Sequence, residues 1–548
     1  MKKQIEKIGL MLDCSRNAVP TPETLKTLID MLAKMGYNRL ELYTEDTYEI
    51  KGRPYFGYMR GRYTGAELKE IDAYAAAKGI ELEPCIQVLA HLNQMFRWPV
   101  FQGVRDCNDI LLVDEPETYK LIGDMFAAIA ENFTSRNVNI GCDEAHMAGL
   151  GRFLDKRGYQ NRFDIINRHI GRVLEIAGKY GFKCSMWSDM YFRLAFGGNY
   201  YNPEDKPIPR EILERVPKGV RLIYWDYYSV DTAHYRKMFK CHKAFGNEIE
   251  FAAGAWKFNC LVPDNAHSMK TAKAAITTAR EFEIKTAMLT AWGDDGNETS
   301  IFSRLPAFYY FARLCKGESI EPADLEKGFR KIAGIGFKDF LDIEIIDSLA
   351  WVPIVDKASL ANTKTPASKY FFYNDCFSGL MDYYVSGKEA AHYNAVSNRL
   401  RAGKYGRFSY IFKTILALSD VLEIKADIGV RTRALYKKGD REGLKRLAAE
   451  YSIIIKRIAV FHKRFEKQWL CENKPFGFEI QDMRIGGLKQ RVESCRRRLL
   501  EYCAGKVKKI PELDEDVLQF GNNQEWFEGA PHLSMISANV PSHNYFQT

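Results

Sequence analysis

Two carboxylates stand side by side at Asp143-Glu144, directly behind the apolar run Val138-Asn139-Ile140-Gly141-Cys142. A strand sends successive side chains to opposite faces, so adjacent acids are awkward within a sheet and sensible where a strand gives way to a loop. Such a pair more often marks a solvated turn or a helix N-terminus. Its company lifts it above that reading. The ends of the other apolar runs carry Asp13 and Arg16, Glu45 and Asp46, Gln87 and His91, Trp187 and Asp189, and Trp225 with Asp226 and Tyr227. Trp256 follows a seventh run, and Trp292 with Asp294, Asp295 and Glu298 an eighth. Four of the eight tryptophans therefore fall at run ends, which suits the walls of one pocket better than scattered core.

These residue types favour one chemistry. No HxH or HExxH spacing offers a metal cage, and no GxSxG elbow offers a nucleophilic serine. The first run ends in Leu12-Asp13-Cys14-Ser15-Arg16, without the glycines of a phosphate-binding turn. The reading therefore needs neither metal nor cofactor. Tryptophans and carboxylates together suit cleavage of a glycosidic bond: indole faces take the apolar face of a sugar, carboxylates take its hydroxyls, and one carboxylic acid protonates the leaving oxygen. Two chain neighbours cannot easily occupy opposite faces of one sugar, as a nucleophile and an acid must. They can serve one face and one substituent.

The elements that position these residues follow a regular rhythm. Strands are predicted at 8–13, 39–43, 80–87, 138–142, 183–187, 221–225, 250–253 and 286–292. Between them lie helices with clear starts and stops, such as Thr21-Pro22-Glu23 opening one and Gly36 closing it. Eight such units close into an α/β fold, a (β/α)8 TIM barrel, with its chemistry at the strand ends. Beyond residue 316 only long amphipathic stretches follow, so the expectation is a catalytic barrel over 1–316 and an all-helical C-terminal domain over 317–548. That domain's stripes suit either a cover for the barrel's flank or the face of a homodimer.

At 548 residues the chain exceeds one ordinary core, and 46% hydrophobic with 27% charged residues is a globular balance. A formal charge of +9 spread over that length, with no basic stripe, argues against a nucleic-acid partner. No stretch reaches the length of a membrane span, and the N-terminus lacks the apolar core of a signal peptide. The twelve cysteines form no CxxC pair, and Cys14, Cys85, Cys142 and Cys184 sit at or beside apolar runs, which points to reduced thiols and a cytoplasmic location.

Several segments resemble the family 20 β-N-acetylhexosaminidases among the glycoside hydrolases. Asn139-Ile140-Gly141-Cys142-Asp143-Glu144 resembles the signature closing that family's fourth strand, and Leu10-Met11-Leu12-Asp13-Cys14-Ser15-Arg16 its first-strand segment. Gln87-Val88-Leu89-Ala90-His91 is similar to the third-strand segment and Thr290-Ala291-Trp292-Gly293-Asp294 to the last. A bare barrel followed by helices resembles the compact bacterial branch. The resemblance implies exo-hydrolysis of terminal β-linked N-acetylglucosamine or N-acetylgalactosamine from an oligosaccharide or glycoconjugate, with the substrate's own 2-acetamido oxygen attacking the anomeric carbon. It further implies Glu144 as general acid and base, and Asp143 as the group that orients the acetamide. Trp187, Trp225, Trp292 and Trp256 would wall the pocket, Asp294 would bind outer hydroxyls, and Tyr227 the acetamide oxygen. Arg16, Glu45 and His91 complete the expected binding set. Two positions depart from the family pattern: Ile8 stands where an Arg ordinarily precedes the first segment, and Gln87 where an Asp ordinarily pairs with the histidine. A glycosidase with an ordinary carboxylate pair and a non-catalytic carbohydrate-binding protein are the alternatives on the residues alone.

Overall fold

Eight apolar runs flanked by glycine-terminated helices do close on themselves. In the computed structural model the parallel strands β1 (Lys7–Asp13), β2 (Arg39–Tyr43), β3 (Glu81–Cys85), β4 (Asn137–Asn139), β5 (Lys183–Trp187), β6 (Val220–Trp225), β7 (Ile249–Gly254) and β8 (Thr286–Ala291) form a closed barrel in chain order. The structure describes residues 5–201, 206–256, 258–352, 355–357, 360–363, 366–519 and 542–543. Helices precede each next strand as their sequence signals require. Thr21 accepts the Thr24 N–H and caps the Pro22–Met35 helix, which Gly36 ends in a left-handed conformation at φ 94°. Thr64 and Glu67 form a reciprocal capping box on the Gly65–Ala77 helix.

Two strands stop clearly short of the expectation: β3 ends at Cys85 rather than 87, and β4 departs further. β4 spans only Asn137–Asn139 and meets β3 through the single register pair Cys85–Asn139. Ile140 to Cys142 is apolar enough to extend it, but Gly141 and Cys142 both take positive φ, at 72° and 70°. That backbone cannot continue a ladder. The acid pair therefore sits on a strained turn beyond the strand.

The barrel interior holds charge where Val, Ile and Leu usually dominate. Arg39 is fully buried and pairs with Glu83 at 2.8 Å, with Glu250 at 2.6 Å and with Glu41. Arg221 reaches the other Glu250 oxygen at 3.1 Å. Gly9 leaves room for this guanidinium, since a Cβ there would lie 3.3 Å from the Arg39 Cδ. Three carboxylates against two arginines leave one excess negative charge. Burial, outweighing the attraction of Arg39, pushes the Glu41 carboxyl up to about 7, so near neutral pH the cluster holds a proton and approaches balance.

The chain falls into two compact units. The first comprises 1–255, 268–292 and 307–321; the second comprises 256–267, 293–306 and 322–548. The second unit thus takes two segments from the barrel region in addition to the C-terminal helices, where the sequence suggests one seam after residue 316. Its long helices are Ser409–Lys425, Arg441–Glu472 and Phe478–Cys503. It is not wholly helical: Val355–Lys357 and Leu360–Thr363 pair as a short antiparallel ribbon. Within this unit the buried Lys369 ammonium lies 2.6 Å from Asp295 and 2.5 Å from Glu298, and Arg484 reaches the same two acids at 2.8 and 3.0 Å. Two acids read as rim groups in the sequence are thereby committed to a structural network. Among the described residues no helix is long and apolar enough to cross a membrane.

Candidate active site

The turn after β4 is built to present Asp143. Gly141 lies against Gln87, and a Cβ on it would meet the Gln87 Oε1 at 2.1 Å, so only glycine fits this place and this φ. Gln87 then works in three directions. Its oxygen accepts the Cys142 N–H at 3.1 Å, and its amide donates to Asp143 Oδ1 at 2.8 Å and to the Tyr43 hydroxyl at 3.1 Å. Where an Asp–His pair was in question, Gln87 holds Asp143 instead, and His91 meets Asp143 directly, with Nε2 3.3 Å from Oδ2.

This ion pair sets both charges. Burial opposes an imidazolium at His91, but the Asp143 carboxylate outweighs it and lifts the histidine to about 10. Burial likewise opposes a charged Asp143, and His91 with Gln87 overcomes it, holding the carboxyl below its ordinary range. Asp143 is therefore an anion at neutral pH.

Glu144 has different surroundings. Its side chain is 44% exposed, with Oε2 3.9 Å from His91 and Oε1 3.6 Å from Arg193. Its backbone N–H donates to Asp189 Oδ2 at 3.0 Å, and Arg193 Nε reaches that same oxygen at 3.1 Å. Burial, aided by repulsion from Asp143, pushes the Asp189 carboxyl up to about 7. Asp189 and Arg193, four residues apart on the helix that follows Trp187, thus brace the second acid from β5.

The remaining candidates of the barrel unit form a continuous network with this pair. Asp13 holds Arg16 at 2.9 Å, and Arg16 lies 3.6 Å from Glu45 and about 5 Å from the rings of Tyr43 and Trp292. The Tyr43 hydroxyl donates to Glu45 at 3.0 Å. Trp292 packs edge-on to Tyr43 at 4.7 Å and beside Trp187 at 5.9 Å, and its indole N–H donates to the Tyr227 hydroxyl at 3.0 Å. Trp225 stacks on Tyr227 at 5.2 Å. Trp187 is only 1% exposed, so it underlies the site as a floor rather than an open wall. The other two expected members belong to the second unit: Trp256 is buried against Phe258 and His267, and Asp294 is exposed.

Backbone strain gathers at the same place. Glu45, His91, Cys142 and Glu144 all take positive φ although none is glycine. Such conformations persist where surrounding structure enforces them, and they cluster at functional sites. Tyr43 and Arg193 were not expected among the site residues. Tyr43 looked like an ordinary strand aromatic, although Arg193 could have been found from its i+4 spacing to Asp189. Among the described residues no cluster of His, Cys, Asp and Glu is arranged to hold a metal ion.

Two family models match the chain. "Glycosyl hydrolase family 20, catalytic domain" covers residues 8–208, and "Glycoside Hydrolase 20C C-terminal domain" covers 338–530. The chain belongs to glycoside hydrolase family 20. The catalytic match contains Arg16, Glu45, Gln87, His91, Asp143, Glu144 and Trp187. Among relatives of this family 20 chain, a β-hexosaminidase of Akkermansia muciniphila is 31% identical over 169 residues, 25% of this chain and 34% of that protein. Human hexosaminidase D is 22% identical over 223 residues, 39% of this chain and 43% of its own length. The chain thus spans about a third of the first relative's length and somewhat under half of the second's. A crystal structure of a β-N-acetylhexosaminidase from Bacteroides fragilis aligns with TM-score 0.46 at 19% identity, over 60% of this chain and 69% of that one.

Proposed function

We propose that the protein is an exo-β-N-acetylhexosaminidase that removes terminal, non-reducing β-linked N-acetylglucosamine or N-acetylgalactosamine by substrate-assisted, retaining hydrolysis. One observation carries this reading: Asp143 is a buried anion clamped between Gln87 and His91, while its chain neighbour Glu144 stands half-exposed. A fixed anion and a solvent-facing acid on one turn suit a substrate that supplies its own nucleophile.

In this mechanism the 2-acetamido oxygen attacks the anomeric carbon while Glu144 gives its proton to the glycosidic oxygen. The carbon–oxygen bond breaks, the leaving sugar departs as an alcohol, and a cyclic oxazolinium forms. Asp143 orients the acetamide N–H and balances the positive charge that develops there. Glu144, now a carboxylate, takes a proton from water as it opens the ring, restoring the β configuration. Trp187, Trp225 and Trp292 provide the apolar enclosure for the ring, with Tyr227 held by Trp292 for the acetamide. Arg16, fixed by Asp13 and Glu45, supports a role toward outer hydroxyls in place of the arginine that Ile8 replaces.

A cytoplasmic setting stays part of this proposal on the sequence alone, which has no CxxC pair. A screen of p-nitrophenyl β-sugars tests the assignment. N-acetylated hexosides are expected to be cleaved and plain β-hexosides to be cleaved poorly; equal rates on both would overturn it.

A further inference from the structure

Beside the acid pair lies a cleft that the reaction above does not use. It has a volume of about 510 Å3 and is lined by Asn93, Phe96, Arg97, Arg105, Asn108 and Asp109, all from the segment after β3. That volume falls within the roughly 300–1,000 Å3 of ordinary small-ligand sites. His91 links it to the acid pair. Asp109 Oδ2 accepts the His91 backbone N–H at 3.0 Å and lies 3.9 Å from the ring Nδ1, while His91 Nε2 faces Asp143 at 3.3 Å and Glu144 at 3.9 Å. The cleft therefore begins one side chain away from the group that protonates the leaving oxygen.

Its chemistry is cationic. Arg97 and Arg105 have no carboxylate partner among the described residues; Arg105 lies over the Phe96 ring at 5.9 Å. This contrasts with nearby arginines of the same rim, since Arg16, Arg60 and Arg193 are each paired with an aspartate. The one acid in the lining, Asp109, is engaged by the His91 backbone and faces its imidazolium. Two unpaired guanidinium forks, with the amides of Asn93 and Asn108 beside them, match a planar or tetrahedral oxyanion. The indoles of the site stand at the ends of β5 and β6 and just after β8, whereas the cleft lies on the segment that follows β3, where none of them walls the acids.

We propose that this cleft binds an anionic group, a carboxylate or a sulfate, on the sugar to which the terminal N-acetylhexosamine is attached. The inference rests on the hexosaminidase reading and names the class of substrate it prefers. The test compares kcat/KM on matched disaccharides whose second sugar is a neutral hexose, the corresponding hexuronate, or the corresponding hexose 6-sulfate. An aryl β-N-acetylglucosaminide reports the basic activity. The wild type should favour at least one acidic substrate over the neutral one by about 10- to 100-fold. In R97A/R105A that ratio should fall to about one, and in R97K/R105K it should be intermediate, because lysine keeps the charge without the fork. The ratio cancels differences in the amount of folded enzyme. Preference for the uronate alone identifies a carboxylate as the ligand, for the sulfated sugar alone a sulfate, and for both their shared charge. A wild-type ratio near one, or a preference that survives R97A/R105A, overturns the cleft assignment while leaving the hydrolase reading intact. Failure to cleave even the aryl substrate overturns both.

Discussion

Asp143 and Glu144 are chain neighbours with opposite surroundings, and the account of catalysis rests on that difference. The first is buried and held ionic by His91 and Gln87; the second is half-exposed and braced through its backbone, with Arg193 and His91 at longer range. Glu144→Gln should lower turnover on a natural disaccharide by about 10²–10⁴-fold, because an amide cannot protonate the leaving oxygen. Steady-state kinetics on a substrate without an activated aryl leaving group reads this, and near-normal turnover would contradict the role. At this scale the sequence was informative where chemistry needs a rare combination, as in the acid pair and the strand-end tryptophans. It was silent on Tyr43 and Arg193, whose residue types are common and whose roles arise only from where the fold sets them.

Elements explain why the acids are where they are. The turn after β4 depends on Gly141, whose position against Gln87 no side chain can share. Gly141→Ala should displace Gln87 and loosen Asp143, and a misplaced catalytic group of this kind costs about 10²-fold in kcat/KM. Retained activity with only a fall in Tm would show that the turn serves stability alone. The strands carry a second dependence. Arg39→Met leaves Glu41, Glu83 and Glu250 buried without their shared counter-charge and should destabilise the barrel by about 3–5 kcal/mol, whereas Glu41→Gln should cost about 1 kcal/mol or less, since that carboxyl already tends to hold a proton. Denaturant midpoints of the two variants compare them directly. The eight strands were legible because parallel strands read as apolar runs between glycine-ended helices. The fourth was over-extended because apolar composition does not reveal positive φ, and the ribbon at Val355–Lys357 and Leu360–Thr363 was missed because each strand is too short to show a period.

For the whole molecule, buried ionisable groups predict how stability varies with pH. His91 is raised to about 10, so it binds a proton more tightly folded than unfolded, and its contribution is full below about 6.5 and lost as pH rises toward 10. Asp189 and Glu472, each pushed up to about 7, act in the same direction at lower pH. His169 and His242 are lowered by burial to about 4 and about 3, so they favour the unfolded chain as pH falls below about 6.5. Between about pH 4.5 and 6.5 these two sets oppose each other, and above about 6.5 His91 acts without such an opponent, so the Tm should decline from about pH 7 toward pH 9.5. In His91→Asn the decline should be shallower; an identical slope would show that His91 is neutral in the folded protein. The division of the chain was legible only in part. A helical region after residue 316 follows from periodicity, but the membership of 256–267 and 293–306 in the second unit depends on long-range packing that no local pattern encodes.

The central claim is that the substrate's own acetamide is the nucleophile and Asp143 its partner. It is tested most directly by inhibition with the thiazoline analogue of the cyclic intermediate, in the wild type and in Asp143→Asn. Tight competitive inhibition of the wild type, weakened at least about tenfold in the variant, is the expected result. Indifference of the wild type to the thiazoline, while it still cleaves the N-acetylated substrate, would contradict the mechanism.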